Sequence, residues 1–585
     1  MLEIKIGGKK LDNKHPTVTI SQHVGQHHGV SITIPLEDKD AAFKKVLETY
    51  TKDYIGKKLE IAFKDNHFIG VVDKVSFGRA SGNSLILHAS SPTIFMDDTP
   101  HTRSYYKKAF EKIIKDTSKD YTNAIDIKIK PRFQGNIHYT VQYKESNFSY
   151  LRRMATRYGE WFFYDGETLF LGKPTSKTIK LDFGIDLKNF AFLIKALPAE
   201  FELAAYDYKK NKSINATSKH KKHTNAYLKA ALENSKADIY KGKAKYPLNL
   251  SMNEDDLKQR LEIHQNATIS EVVTITGSST VSELRLGSVI HVVDDRFLLE
   301  GGFDDYGKYI IISITHDISP EGDYYTNHFE AIPEEVVSPP LSASSEGQFC
   351  ETQHAVVTDI NDPDGLGRVM VQFDWQKETN QKSPWIRVAS PYTGNDKGFY
   401  LIPEKGDQVL IAFERNNPES PFVLTGMYHS DTKPMYFHKE NDKKGLKTRG
   451  GNEILIIDEK GKESINITSP CDITVTGTNG KVTITADGEI LIESKDKDIT
   501  IKTPKNISLE ADNININAKS DLTLTARKIK AAARSSFDAK AINMSLVADL
   551  SHSIKGTDVS VEGSANVKVD GTASTIINGG IIKLN

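Results

Sequence analysis

In DINDPDGLGRVMVQFDWQ, Asp359 to Gln376, three aspartates and an asparagine crowd in front of a Gly-x-Gly. Oxygen ligands at that density suit a calcium loop, and glycines at that spacing suit a phosphate cradle. An EF-hand loop needs oxygen ligands at alternate positions, a glycine in mid-loop and a closing glutamate. Counted from Asp359, Pro363 falls on a ligand position, Asp364 on the glycine and Met370 on the glutamate, so the calcium reading fails. Gly365-x-Gly367 lacks the third glycine and the following helix of a dinucleotide loop. Turn chemistry remains: Pro363 presets a bend, Asp364-Gly365 reverses the chain, and Gly367 and Arg368 enter the strand RVMVQF.

Other reactive residue types are as sparse in pattern. His27-His28 is a surface or loop pair beside a glycine, and no HExxH motif or HxH-plus-carboxylate set occurs. No GxSxG elbow exists, and neither Cys350 nor Cys471 sits in a nucleophile context. Glycan-cleaving β-helical enzymes need paired carboxylates in a groove. Here Asp487, Glu489, Glu493 and Asp512 are scattered through turns. The expectation is no catalytic residues, no cofactor and no metal ligands. The run HKENDKKGLK reads as a solvated linker.

The elements that would position any site come from 585 residues, more than a single core holds. A net charge of -1 points to neither nucleic acid nor an anionic membrane as the main partner. No apolar run reaches the ~20 residues of a membrane span, so no stable membrane insertion is expected. The start, MLEIKIGGKK, shows no apolar signal-peptide core. Export would then need another machine.

Residues to about 100 alternate apolar and polar types in LEIKI, KLEIAF, FIGVVDKVSF and SLILHAS, the pattern of a small antiparallel β unit. A helix is expected over Asp40–Tyr50, capped by Asp40, with Phe43, Val46, Leu47 and Tyr50 on one face. From 101 to 340 helices and strands mix. KAFEKIIKD reads as a helix, and SNFSYLRRMATRYGE as a helix from Asn147 stopped by Gly159. A hairpin turning at Asp165-Gly166 follows, and SELRLGSVIHVV and KYIIISITHDI read as later strands. AIPEEVVSPPLSASSEGQ is a linker. Residues 346–430 offer RVMVQFDW, SPWIRVAS, GFYLIP, DQVLIAFE and PFVLTGMYH, five strands that fit a small closed barrel of the OB type.

From about 450 onward, apolar–polar–apolar triplets recur: INI, ITV, VTI, ILI, ITI, ISL, INI and LTL, with weaker VSV and VKV. Their spacing is roughly eight residues, the mark of a β-solenoid. A three-residue strand is unstable alone. Each repeat offers two inward apolar side chains, ~1.5–3 kcal/mol each if fully buried. One chain would enclose little, whereas three chains wound together each supply one face of a prism. The expected trimer core is Ile473, Val475, Val482, Ile484, Ile490, Ile492, Ile499, Ile501, Ile507, Leu509, Ile514, Ile516, Leu522 and Leu524. About fifteen rows at ~4.8 Å make a rod on the order of 70 Å long. An ordinary β-sandwich would need longer strands.

Three stretches resemble the VgrG family, the spike proteins of type VI secretion systems, which are related to the hub and needle proteins of contractile phage tails. One is VQYKESNFSYLRRMATRYGEWFFYDGE. The second runs from DINDPDGLGRVMVQFDW through SPWIRVASPYTGNDKGFYLIPEKGDQVLIAFERNNPESPFVLTGMYH. The third is KGLKTRGGNEILIIDEKGKESINI. GSSTVSELRLGSVI and YIIISITHDI are similar to late strands of the family's hub barrel.

The resemblance implies a mainly β, multidomain chain. Residues 1–340 would form a phage-hub-like domain of two β-barrel subdomains with helical insertions, and 346–430 an OB-fold barrel. Residues 431–449 would be a linker, and 450–585 an intertwined trimeric β-helix needle. It further implies a homotrimeric puncturing spike that is no enzyme, assembled in the bacterial cytoplasm and secreted by the apparatus into the extracellular space or a target cell. Its partners would be a hexameric Hcp-like tube protein, baseplate components, secreted effectors and a PAAR-type tip protein. The final GTASTIINGGIIKLN has apolar strands and no charged cap, so Ile576, Ile577, Ile581, Ile582 and Leu584 are expected to meet the tip protein or else to join the trimer core, with Gly579 and Gly580 making the turn. No toxic domain is expected after these repeats. The rival readings are the spike of an extracellular injection particle or phage tail, a trimeric β-helical glycan-degrading enzyme, and a passive adhesin.

Overall fold

The computed structural model describes residues 2–11, 15–36, 43–78, 84–173, 177–295, 304–319, 324–340 and 348–584. The chain divides into two compact units, Met1–Ile473 and Thr474–Asn585.

The first unit is built on one 13-stranded sheet. Its N-terminal part runs through Leu2–Ile6, Lys58–Phe63, Asn66–Gly78, Ser84–Ser90, Gly29–Pro35 and Thr17–His23. Strand Ser84–Ser90 alternates half-buried and buried side chains along its whole length, as the sequence pattern requires. Thr17–His23 then pairs antiparallel with Asp304–Ile318, Val18 opposite Ile318. Thr19 adds a hydroxyl hydrogen bond to Asp317 at 2.9 Å. Through this pairing the early strands and the late ones, Tyr325–Pro333, Val273–Ser279 and Leu187–Ile194, share one sheet. Two large apolar clusters lie on it, one around Ile20, Ile32 and Leu87, the other around Ile275, Ile290 and Ile311.

Among the described residues five α-helices are inserted: α1 Phe43–Tyr54, α2 Phe110–Ser118, α3 Asn147–Tyr158, α4 Ala226–Asn234 and α5 Glu254–Ser270. The expected cap of α1, Asp40, lies outside the described residues. Leu47, expected on its buried face, is exposed, while Tyr50 packs on the core. Helix α3 has the expected boundaries. The Ser146 hydroxyl accepts from the Ser149 amide, and Gly159, at φ 66°, closes the other end in a left-handed cap. The hairpin at Asp165-Gly166 forms between Phe162–Tyr164 and Thr168–Leu171, its Asp165 carboxylate accepting from the Glu167 and Thr168 amides. Of SELRLGSVIHVV, only Val289–Asp294 is strand.

Residues 353–426 form a four-stranded sheet in the order Met370–Phe373, Gln353–Asp359, Gln408–Phe413, Pro421–Gly426. This corrects the expected strand set. QHAVVTD, unassigned in the sequence, is a central strand. SPWIRVAS makes only isolated bridges, at Ile386 and Val388. GFYLIP has no ladder beyond the two-residue pairing at Lys397–Gly398, and its Tyr400 is 80% exposed. An apolar run without a partner strand stays out of a sheet whatever its composition.

A last ladder, Lys443–Lys447, Glu453–Ile457 and Ser464–Thr468, lies in the stretch KGLKTRGGNEILIIDEKGKESINI. In the second unit short runs without assigned secondary structure alternate with bends, and no strand ladder occurs among its described residues. No helix among the described residues is long and apolar enough to cross a membrane.

Candidate functional site

The aspartate-rich stretch that opens the sequence argument is a turn built around one carboxylate. Asp362 accepts hydrogen bonds from the amides of Asp364, Leu366 and Arg368, at 3.0, 2.9 and 3.1 Å. The Arg368 guanidinium closes on both oxygens of Asp362, at 3.0 and 2.6 Å. Both side chains are buried, and Arg368 holds the Asp362 carboxyl far below the usual carboxylate range. Gly365 and Gly367 take left-handed φ values of 65° and 67°, which a turn this tight requires. Both Asp362 oxygens are thus engaged by the chain itself. The turn reading holds, but the sequence argument placed Arg368 only at a strand start.

Arg368 also ties this loop to a distant hairpin. Its guanidinium donates to the Tyr208 hydroxyl at 3.1 Å, and Lys209 reaches Asp364 at 2.8 Å. Arg387 lies over the Tyr208 ring, 4.8 Å from its centroid.

A second clasp is formed by Glu419. It accepts from the Thr140 hydroxyl at 2.6 Å and pairs with Arg153 at 3.4 Å and with Arg157. Arg153 and Arg157 stand one turn apart on α3, so one helix face presents both guanidiniums. Burial would raise the Glu419 pKa, but Arg157 and Arg153 outweigh it and hold the group at about 2. Arg153 is shared with Glu145, at 3.1 and 3.2 Å, and donates to the Val141 carbonyl at 2.7 Å.

Between the clasps the contact is dry. Tyr139, Val141 and Tyr143 of strand Asn136–Glu145 share an apolar cluster with Ala355, Val357, Val371, Ile411 and Val423. Gln376 donates to the Ser104 hydroxyl at 2.7 Å. The small sheet is fused to the rest of the first unit by a common core with strand Asn136–Glu145, which pairs with His101–Ala109 in a separate two-stranded sheet, and by two charged clasps, to α3 and to the hairpin at Tyr208. These cross-domain partners have no local sequence signature.

His27 and His28 lie in the loop between Thr17–His23 and Gly29–Pro35, as the surface-or-loop reading allows, but His28 corrects its surface half. The His27 ring stacks on Phe148 at 3.8 Å and lies 2.8 Å from Asp97. His28 is fully buried, 3.1 Å from Gln22. Gln22 in turn meets His316 at 3.3 Å, and His316 meets Tyr325 at 2.7 Å. Among the described residues no group of three or more His, Cys, Asp or Glu could hold a metal ion. Cys350 is buried and Cys471 exposed, both as free thiols.

The residues expected to form the trimer core, Ile473 to Leu524, are all exposed on the single chain. Their exposures repeat in pairs: Ile507 55% and Leu509 71%, then Ile514 53% and Ile516 63%. So regular an alternation means that each repeat holds its apolar pair in the same backbone setting. Ile576, Ile577, Gly579, Gly580, Ile581, Ile582 and Leu584 are exposed as well. The bends continue at 527, 534–535, 542–543 and 549–550, through the stretch between LTL and VSV where no triplet was read. Ile529, Phe537, Met544, Leu546, Val547 and Ile554 are the exposed large apolar residues of the runs between its bends. Steps of seven to nine residues onward from Leu522 meet Ile529, Phe537, Leu546 and Ile554 in turn.

Residues 45–322 match the phage tail baseplate hub family, and 353–428 match the type VI secretion system/phage-baseplate injector OB domain. The chain is 35% identical over 171 residues to the type VI secretion system spike protein VgrG4b of Pseudomonas aeruginosa, covering 26% of this chain and 21% of that protein. The chain is related to the VgrG spike proteins. A further VgrG relative is the actin cross-linking toxin VgrG1 of Vibrio cholerae, 28% identical over 216 residues, or 33% of this chain and 19% of that one. The matches thus span about a fifth of the length of these VgrG relatives. Among solved structures, a type VI secretion component from E. coli described as similar to the T4 tail proteins gp27 and gp5 aligns over 72% of this chain and 99% of its own, with TM-score 0.48 and 13% identity. A chain of the lidded Francisella PdpA-VgrG complex aligns over 80% of each chain, with TM-score 0.48 and 10% identity.

Proposed function

We propose that this protein is the trimeric cell-puncturing spike of a type VI secretion apparatus. One observation carries the reading. On the same chain as a hub match and an injector OB match, a long repeat leaves all its apolar pairs exposed. Soluble monomers rarely expose contiguous apolar patches of more than a few hundred Å². Unladdered backbone also needs hydrogen-bond partners. Three copies wound together supply both, each strand pairing with its neighbours' strands and each apolar pair meeting the others at the axis. Separating such strands means separating three chains at once, which suits a part that transmits axial force.

In this reading residues 1–340 form the hub that meets a hexameric Hcp-like tube and the baseplate. Residues 346–430 are the OB collar, 431–449 the linker and 450–585 the needle. The pairs from Ile473 to Leu524 are the needle core. The segment Ile576–Leu584 meets a PAAR-type tip, and effectors travel with the assembly. The protein assembles in the bacterial cytoplasm and leaves with the apparatus, and its work is mechanical. The same parts would serve the spike of an extracellular injection particle or phage tail, since the matched OB family covers both kinds of injector.

Light scattering tests the proposal on the full chain and on a chain stopped before Gly450. The expected mass for the full chain is three times 65.2 kDa, and the truncated chain should lose or weaken the trimer. A full chain that stays monomeric at micromolar concentration overturns the intertwined needle and the puncturing function with it.

A further inference from the structure

A cleft of about 590 Å³ opens beside the Glu419 clasp, between α3, α5 and the turn at 415–420. Of the four arginines that line it, Arg153 is already committed to Glu145 and Glu419, and the other three, Arg157, Arg260 and Arg415, differ in one respect. Arg157 is paired with Glu419, whereas Arg260 and Arg415 have no ion-pair or hydrogen-bond partner among the described residues. Of the two acids lining the cleft, Glu419 is already committed and Asp256 is engaged by Asn253 at 2.7 Å.

Burial and then Arg157 push the Arg260 guanidinium down, and burial and then Arg260 do the same to His264. Arg415 sits in a left-handed turn at φ 54°, a conformation costly for a side chain of its kind. Beside these cations the wall is apolar, with Tyr158 and Ile263 facing the same space.

We propose that this cleft is a binding site for an acidic peptide segment of a partner protein, with carboxylates on Arg260 and Arg415 and an apolar side chain against Tyr158 and Ile263. Guanidinium forks match carboxylates in geometry and charge. The volume and the apolar wall exceed what an isolated inorganic anion would use, and pocket-bound peptides are held by this mixture of anchors. The site does not depend on the spike reading, since both walls belong to the first unit.

Fluorescence anisotropy on the full chain provides the test. The probes are short labelled peptides of Glu and Asp interspersed with Phe and Leu, together with the same peptides carrying Gln and Asn. The acidic set should bind and weaken with added salt, while the neutral set should not bind. Arg260→Gln and Arg415→Asn should each lower acidic-peptide affinity about tenfold, with unchanged thermal unfolding. Asn tolerates the left-handed turn at 415. Should Arg415→Asn disturb folding, Arg260→Glu must abolish binding instead. The proposal is overturned if neutral peptides bind as well as acidic ones, if no acidic peptide binds, or if binding survives the arginine substitutions. Competition by inorganic phosphate at peptide-like concentrations would also overturn it, in favour of a small-anion site.

Discussion

Glu419 stands 3.4 Å from Arg153, although 266 residues separate them along the chain. The pair is nearly sealed from water, and Arg157 and Thr140 complete the cage. This contact joins the small sheet domain to α3. The Asp362–Arg368–Tyr208 chain braces the same joint through a different hairpin.

Glu419→Ala should destabilise the first unit by about 3–5 kcal/mol, because it leaves two guanidiniums around an emptied buried position. Glu419→Gln should cost less, since Thr140 and one arginine retain an acceptor. Urea titrations of both variants, read by tryptophan fluorescence, check the order. Equal midpoints for Glu419→Ala and the parent chain would show that the clasp is ornamental.

The two aspartates around Arg368 should differ in consequence. Asp362→Asn disrupts a buried pair and its turn, whereas Asp364 is 43% exposed and one of several partners. Asp362→Asn should therefore lower the thermal midpoint clearly more than Asp364→Asn. Arg368→Lys should not rescue the site, because an ammonium cannot fork across both carboxylate oxygens while reaching Tyr208.

Burial depresses His28 and His316 from 6.5 to about 3 in the folded chain. Between those values the unfolded chain binds more protons, so stability must fall as pH drops below 6.5. Glu419, lowered from 4.5 to about 2, adds its own loss only below pH 4.5. Urea midpoints measured from pH 7.5 to 5 should decline in the parent chain. They should decline less steeply in a His28→Gln, His316→Gln variant, and parallel slopes would remove the histidines as the cause.

Within the repeat, Ile507→Asp or Leu509→Asp should reduce the trimer mass seen by light scattering, while the alternate-face change Ser508→Asp should leave it intact. Phe537→Asp should behave like Ile507→Asp if the stretch between LTL and VSV belongs to the same needle. Retention of the trimer by Ile507→Asp would contradict the proposed core.

The sequence by itself determined the features that local physics controls. Helix α3 starts and stops where Ser146 and Gly159 cap it, the hairpin turns at Asp165-Gly166, and Pro363-Asp364-Gly365 reverses the chain. The roughly eight-residue period also survives as regular bends and paired exposures. Only the tertiary structure decided which strands pair and which charges meet. GFYLIP looks like a strand and finds no long ladder, while QHAVVTD becomes a central strand, because pairing depends on a partner's edge rather than on composition. His28 reads as surface but lies inside, because the fold closes Gln22, Tyr164 and His316 around it. Glu419 and Arg153, or Arg368 and Tyr208, carry no shared period or spacing. Side chains so far apart in the chain are brought together by the packing of whole sheets, and nothing in their local sequence records that.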